Sequence, residues 1–272
     1  MTTHAPAKIN LSLRITGKRP DGFHELETLI MPLPALCDDL TFTDAETFSL
    51  HCETAGVPTD ETNLVSRALR TFEAKTGIPC SYRIDLIKRI PHGAGLGGGS
   101  ADAAHTFLAL NELTKAAVPL ATLSDWAATL GSDIPLFLYQ KPCWCSGRGE
   151  IIEPRDLEWD DEIVLFKPGF EIPTPWAYSR WQESQEIPAI SYQPQNIGDI
   201  TLFNDLERPV FEKHRFLAEL RSFLQAQPET QAAMMSGSGS TVFAVMKKGG
   251  DLRALVGRTL AEMDPTLWWH AA

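Results

Sequence analysis

Five of the seven residues from Gly93 to Gly99 (GAGLGGG) are glycine, and they lie between two periodic segments. Upstream, Ser81–Ile90 places Tyr82, Ile84 and Leu86 on one side, which predicts a strand. Downstream, Ser100–Leu113 carries Ala103, Ala104, Phe107, Leu108 and Leu110 at helical spacing, which predicts a helix with a buried face. A tight glycine-rich connection between a strand and a helix has a specific physical use. Glycine adopts positive φ freely and lacks the Cβ that would keep a ligand off the backbone. Successive N–H groups can then converge into an anion-binding concavity. The helix start adds unpaired N–H groups and the positive end of its dipole. The Ser100 hydroxyl is placed to touch a phosphate or its Mg²⁺. The segment is therefore expected to cradle phosphate.

Two familiar phosphate loops fit poorly. Gly93-Ala94-Gly95-Leu96-Gly97-Gly98 formally matches G-x-G-x-x-G, but the dinucleotide fold wants that strand first in its domain and an acidic residue ending the next strand. Here the strand comes late, and Glu112 falls on the helix itself. A Walker loop needs G-x-x-x-x-G-K-[ST], a string absent from this chain. A flexible linker is the bland alternative, and linkers do not usually sit tightly between a strand and an amphipathic helix.

The rest of the chain mixes both element types, which places the fold in the α+β or α/β class. Ala7–Thr16 alternates Ile9, Leu11, Leu13 and Ile15 with polar residues, so it reads as a half-buried strand. Lys18–Gly22 is a turn by its Pro-Asp-Gly content. Strands are expected near Leu26–Leu33, Leu40–Cys52, Glu162–Lys167 and Thr241–Lys247. Helices are expected over Asn63–Lys75, ended by Gly77, from Ser124 to Gly131, over Asn204–Leu224 despite Pro209, and over Asp251–Met263. The acidic, proline-bearing stretch Glu150–Asp161 is the best domain boundary, giving domains 1–153 and 154–272.

Composition narrows the partners. A net charge of −11 argues against nucleic acid, which is held through Lys and Arg, and against a polybasic membrane anchor. No run approaches the roughly 18 apolar residues of a membrane helix, and the N-terminus does not resemble a signal peptide, so a cytoplasmic protein is expected. The five cysteines are odd in number and widely spaced, which does not suggest a disulfide framework. Cys143 and Cys145 would share one buried strand face. The histidines show no ligand spacing, so no protein-built metal cage is expected.

Pro91-His92-Gly93-Ala94-Gly95-Leu96-Gly97-Gly98-Gly99-Ser100-Ala101 resembles the phosphate loop of the GHMP kinases. Pro6–Leu11 (PAKINL) resembles that superfamily's N-terminal motif, and Met235–Ala244 (MSGSGSTVFA) its C-terminal glycine-rich motif. Arg19–Thr28, Gly131–Pro135 and Lys167–Pro175 are similar to strings of the branch that phosphorylates cytidine diphosphate methylerythritol. The anchor points run from residue 5 to residue 244, essentially the whole chain. Ala101, Phe23 and Ser240 depart slightly from the most frequent residues.

That resemblance implies a two-domain α+β fold, an N-terminal ATP-binding domain and a C-terminal ferredoxin-like domain with the active site between them. It implies ATP with Mg²⁺ and phosphorylation of the 2-hydroxyl of cytidine diphosphate methylerythritol, in the non-mevalonate route to isoprenoid precursors. By the same resemblance Asp133 is the base and Lys8 the cation beside it. Phe23, His24 and Tyr178 would hold the cytosine, while Asn10, Gly237 and Gly239 would touch the substrate. The working unit is expected to be a monomer or weak homodimer. Taken alone, Asp133 reads as a turn residue and Lys8 as a solvated charge; only the combined motifs reverse that. Another small-molecule kinase of the superfamily, or a catalytically silent nucleotide-binding protein, remains the alternative.

Overall fold

The computed structural model describes residues 1–272. The chain forms two compact units interleaved in sequence: Met1–Lys8, Pro32–His92 and Gly97–Arg155 in the first; Ile9–Met31, Gly93–Leu96 and Asp156–Ala272 in the second.

The first unit begins with the N-terminal end of β1 (Thr2–Lys18) and the C-terminal part of β2 (His24–Asp44). The two separate strands expected between Leu26 and Cys52 are instead one long strand followed by β3 (Ser49–His51). Pro32 and Pro34 do not break it, because proline's φ is compatible with extended backbone. Helix α1 (Leu64–Thr76) starts where Asn63 Oδ1 accepts from Val65 N at 2.8 Å, and it stops at Gly77 with φ 71°. Strand β4 (Tyr82–Ile87) pairs antiparallel with β2, from Asp39 opposite Ile87 to Asp44 opposite Tyr82, and parallel with β3.

Helix α2 (Gly98–Leu113) begins two residues earlier than the expected Ser100, since its cap is Gly97 in the left-handed region, φ 71°. Ala101 to Phe107 are all buried, so the small alanines let neighbours pack close around it. Helix α3 (Leu120–Ala128) is entered from Pro119, and Ser124 lies inside it rather than capping it. Helix α4 (Ile134–Leu138) follows directly on Asp133. Strands β5 (Cys143–Gly147) and β6 (Ile151–Pro154) pair antiparallel, and Cys143 and Cys145 are both buried, free thiols on one face.

In the second unit, β7 (Ile163–Lys167) is buried along its whole length. Helix α5 (Thr174–Arg180) and the hairpin of β8 (Gln195–Ile197) and β9 (Ile200–Asn204) follow, with β9 parallel to β1 at Ser12–Phe203 and Leu13–Asn204. The helix expected over Asn204–Leu224 is two: α6 (Glu207–Lys213) and α7 (Arg215–Gln225), divided at His214. Pro209 is harmless because it lies in the first turn of α6, where its missing N–H has no intrahelical partner to lose. The chain closes with β10 (Thr230–Met235), β11 (Val242–Met246), α8 (Leu252–Glu262) and β12 (Trp268–Ala271).

Strands β10, β11, β7 and β12 lie in that order, each antiparallel to its neighbours, the arrangement of a ferredoxin-like sheet. Val164, Phe166, Met235, Val242 and Ala244 from the sheet pack with Phe211, Leu217, Leu220 and Leu224 into the core of this unit. Strand β12 forms one edge of this sheet, with Trp268 opposite Lys167 and Trp269 opposite Phe166 of β7. No helix in the chain is long and apolar enough to cross a membrane.

Candidate active site

The phosphate-loop candidate divides between the units: residues 93–96 belong to the second and 97–101 to the first. In the first unit the start of α2 has the character of an anion site. Gly97 offers no side-chain cap, and no acidic residue occupies the first turn, so the leading N–H groups are left for a ligand. A Cβ on Gly97 would lie 3.1 Å from Lys8 Cγ and 2.7 Å from the Phe137 ring. The glycine is thus what lets the Lys8 stem run against the helix cap.

Lys8 is 4 % exposed. Burial lowers its pKa, and the charge of Asp133 opposes that shift. Asp133 is exposed, at the entrance to α4, and a Cβ on Gly149 would lie 3.8 Å from its Oδ1. The Cys145 thiol, pushed far up by burial, stays protonated beside them. So a buried cation, a solvent-facing carboxylate and an unblocked helix start occupy one place.

A buried ion cluster that the sequence reading missed braces that helix start. Lys88 Nζ donates to Asp38 Oδ2 and, at 2.6 Å, to Asp102 Oδ2 in α2. Asp38 Oδ1 also accepts from Arg89 N at 2.6 Å and Ile90 N at 2.9 Å. The cluster therefore ties the chain after β4 to the second turn of α2. Burial pushes Asp102 up to about 7, against the pull of Lys88 and with added repulsion from Asp38. The three groups are scattered through the sequence, and no spacing signals their meeting.

In the second unit, Gly93 and Gly95 take positive φ of 60° and 74°, while Ala94 and Leu96 between and after them are buried. That alternation of left-handed glycines is the backbone of an anion nest. A Cβ on Gly95 would fall 2.3 Å from Ser236 O, so the approach of the second glycine-rich segment requires glycine here. Ala94 O accepts from Thr241 N at 3.2 Å, and Gly95 O accepts from Ser236 Oγ at 3.1 Å. Gly237 and Gly239 turn that second segment with φ of 56° and 84°.

Asn10 is buried; its Nδ2 donates to Thr28 Oγ1 at 2.8 Å and its N to Ser236 Oγ at 3.4 Å. Phe23 is 51 % exposed at the end of the turn, where its N donates to Asp21 Oδ1. His24 stacks on Tyr178, and Trp181 meets the same imidazole edge-on at 6.0 Å. Burial and the nearby Lys18 lower the His24 pKa, which favours a neutral ring near pH 7. Trp181 was not foreseen, although its position one helical turn after Tyr178 was the available signal.

Taken unit by unit, the left-handed Gly93 and Gly95 in the second and Gly97 with the unblocked start of α2 in the first each suit phosphate, the group ATP carries. No three His, Cys, Asp or Glu side chains come together in a way that could hold a metal ion.

The model of the GHMP kinases N terminal domain matches residues 63–141. With the ferredoxin-like sheet and the glycine cradle, that places the protein in the class of GHMP kinases, which use ATP as phosphate donor. A 4-diphosphocytidyl-2-C-methyl-D-erythritol kinase of Methylacidiphilum infernorum is 39% identical over 98% of this chain and 94% of its own length. One from Chlorobaculum parvum is 37% identical over 95% of this chain and 92% of its own length. A crystal structure of a 4-(cytidine 5'-diphospho)-2C-methyl-D-erythritol kinase superposes with a TM-score of 0.79 at 33% identity, covering 100% of this chain and 98% of the other. The chain belongs to the 4-diphosphocytidyl-2-C-methyl-D-erythritol kinase family. A homoserine kinase from Cytophaga hutchinsonii shares the fold, with a TM-score of 0.70 at 15% identity over 100% of this chain and 93% of its own.

Proposed function

We propose that this chain transfers the γ-phosphate of ATP to the 2-hydroxyl of 4-diphosphocytidyl-2-C-methyl-D-erythritol, a step toward isoprenoid precursors, with Lys8 and Asp133 at the reacting atoms. One observation carries the residue assignment: the Lys8 stem lies against the Gly97 cap of α2 while its ammonium is in electrostatic contact with Asp133. ATP supplies the phosphoryl group, and Mg²⁺ bound mainly by its phosphates and water offsets their charge.

Asp133 faces solvent and accepts the proton of the acceptor hydroxyl, as general base. Lys8 keeps that carboxylate company and stabilises negative charge that develops on the transferring group. Its burial makes the charge act through a less polar medium, where it counts for more than in water. The N–H groups of residues 93–101 orient the phosphates. Tyr178 and Phe23 offer ring faces to the cytosine, and His24 hydrogen-bonds to its edge. Asn10, Gly237 and Gly239 lie along the remainder of the substrate. The protein works as a monomer or weak homodimer in the cytoplasm.

The test is an ADP-release assay on the cytidylyl compound, mevalonate, homoserine and galactose. Turnover of the first alone is expected; turnover of any other, without the first, rejects the substrate while keeping the kinase. Asp133→Asn is expected to lower kcat by about 10²–10⁴-fold and to leave ATP binding intact. An unaltered kcat removes Asp133 from the reaction.

A further inference from the structure

We infer that Asn204, at the end of β9, is a positioning residue that sets the second glycine-rich segment against the phosphate loop. Asn204 is 7 % exposed, and its side chain makes three hydrogen bonds. Nδ2 donates to Met235 O at 2.7 Å and to Gly237 O at 2.8 Å, while Oδ1 accepts from Leu206 N at 2.9 Å. The orientation of the amide is dictated by chemistry: two carbonyls can only accept, and a backbone N–H can only donate. Both Nδ2 hydrogens are used, one on each side of Ser236.

Ser236 is the residue so clamped, and it is the link to the loop. Its Oγ donates to Gly95 O at 3.1 Å and accepts from Asn10 N at 3.4 Å. Its O accepts from Gly239 N, and its N donates to Thr241 O, both at 2.9 Å. Thr241 N in turn donates to Ala94 O. Gly95 has no slack: a single added Cβ would strike Ser236 O at 2.3 Å. A small shift of the 235–237 backbone is therefore passed directly to Ala94 and Gly95. Glu207 Oε1, which accepts from Met235 N at 2.9 Å, holds the same strand end from the other side. Asn204 thus acts on the phosphates at one remove, through Ser236.

The inference rests on the reading that residues 93–101 hold the phosphates of ATP. Asn204→Asp tests it, because the carboxylate keeps the acceptor for Leu206 N but turns oxygen, not N–H, toward two carbonyls. Leu220→Ala, in the core of the same unit, serves as a variant that lowers stability without touching either loop. The probes are the Kd of the β,γ-imido analogue of ATP, measured by calorimetry, and the split of kcat against KM for each substrate. For folded Asn204→Asp we expect Kd and KM for nucleotide to rise at least tenfold, and Leu220→Ala to leave both within twofold of wild type. If Asn204→Asp does not fold, Ser236→Ala replaces it, with a rise of at least threefold expected. Nucleotide affinity equal to wild type in the folded variant overturns the inference, as does an equal loss in Leu220→Ala. A wild-type protein that binds no nucleotide rejects the ATP reading itself, and this inference with it.

Discussion

The His24 imidazole stacks on the Tyr178 ring with centroids 5.5 Å apart and planes inclined by 29°. His24 opens β2 and Tyr178 lies in α5, so residues 154 positions apart form one aromatic surface, with Trp181 edge-on to the same imidazole. Stacking on an aromatic side chain contributes about 1–3 kcal/mol per base. Tyr178→Ala is therefore expected to raise KM for the cytidylyl substrate about 5- to 150-fold and to leave KM for ATP unchanged. An equal rise for both substrates, or none, would show that the ring serves packing alone.

Two glycines of similar φ should respond differently to alanine. Gly77 has φ 71° with open space around its Cβ position, so Gly77→Ala carries only the left-handed backbone cost, about 1–2 kcal/mol. Gly95 has φ 74° and would also drive its Cβ to 2.3 Å from Ser236 O. Gly95→Ala should lower Tm further and weaken nucleotide binding, whereas Gly77→Ala should spare binding. Thermal melts with and without nucleotide measure both; equal effects in the two variants would contradict the close approach.

Glu207 should give the protein an acid-favoured term in its stability. Burial pushes its carboxyl up to about 7 from an ordinary 4.5, against Arg221 and the Met235 N–H. The folded state then binds more protons than the unfolded chain between those values. Its contribution is full below about 4.5 and is lost as pH rises through about 7. Glu207→Gln keeps an oxygen for Met235 N and removes the titration. The denaturant midpoint of wild type relative to this variant should fall as pH goes from 4.5 to 7.5; a constant difference would refute the shift.

Asp251 caps α8, its Oδ1 accepting from Ala254 N at 3.0 Å. Asp251→Ala should cost about 1 kcal/mol. For a protein of this size that lowers Tm by about 2–4 °C. Kinetic constants at 25 °C should not move, since the Asp251 side-chain bond stays within α8. A melt coincident with wild type would remove the cap from the stability account.

Local signals served well where one stretch of chain carries its own physics. The strand at Ala7–Thr16, the Asn63 and Gly77 boundaries of α1, and the buried pair Cys143 and Cys145 appear as read, but the strand is not half-buried: Lys8, Asn10 and Ser12 of its polar face are buried as well. Local signals also misled. Ser124 is a good cap residue by type, yet α3 starts from Pro119; the strands expected separately near Leu26–Leu33 and Leu40–Cys52 run together as β2 as far as Asp44. Tertiary pairing outweighs such propensities, which are worth less than about a kilocalorie per residue.

The glycine-rich loop, its flanking strand and helix, and the ordered motifs were determined by sequence alone, because glycine content and period are properties of adjacent residues. What the loop leans on was not. Asn204 under Ser236, Lys88 between Asp38 and Asp102, and Trp181 against His24 are contacts between residues far apart or unmarked by any spacing. A lone Asn, Lys or Trp is chemically ambiguous until burial decides which partner it must satisfy. Only the folded chain removes water from these groups and so makes each partner obligatory.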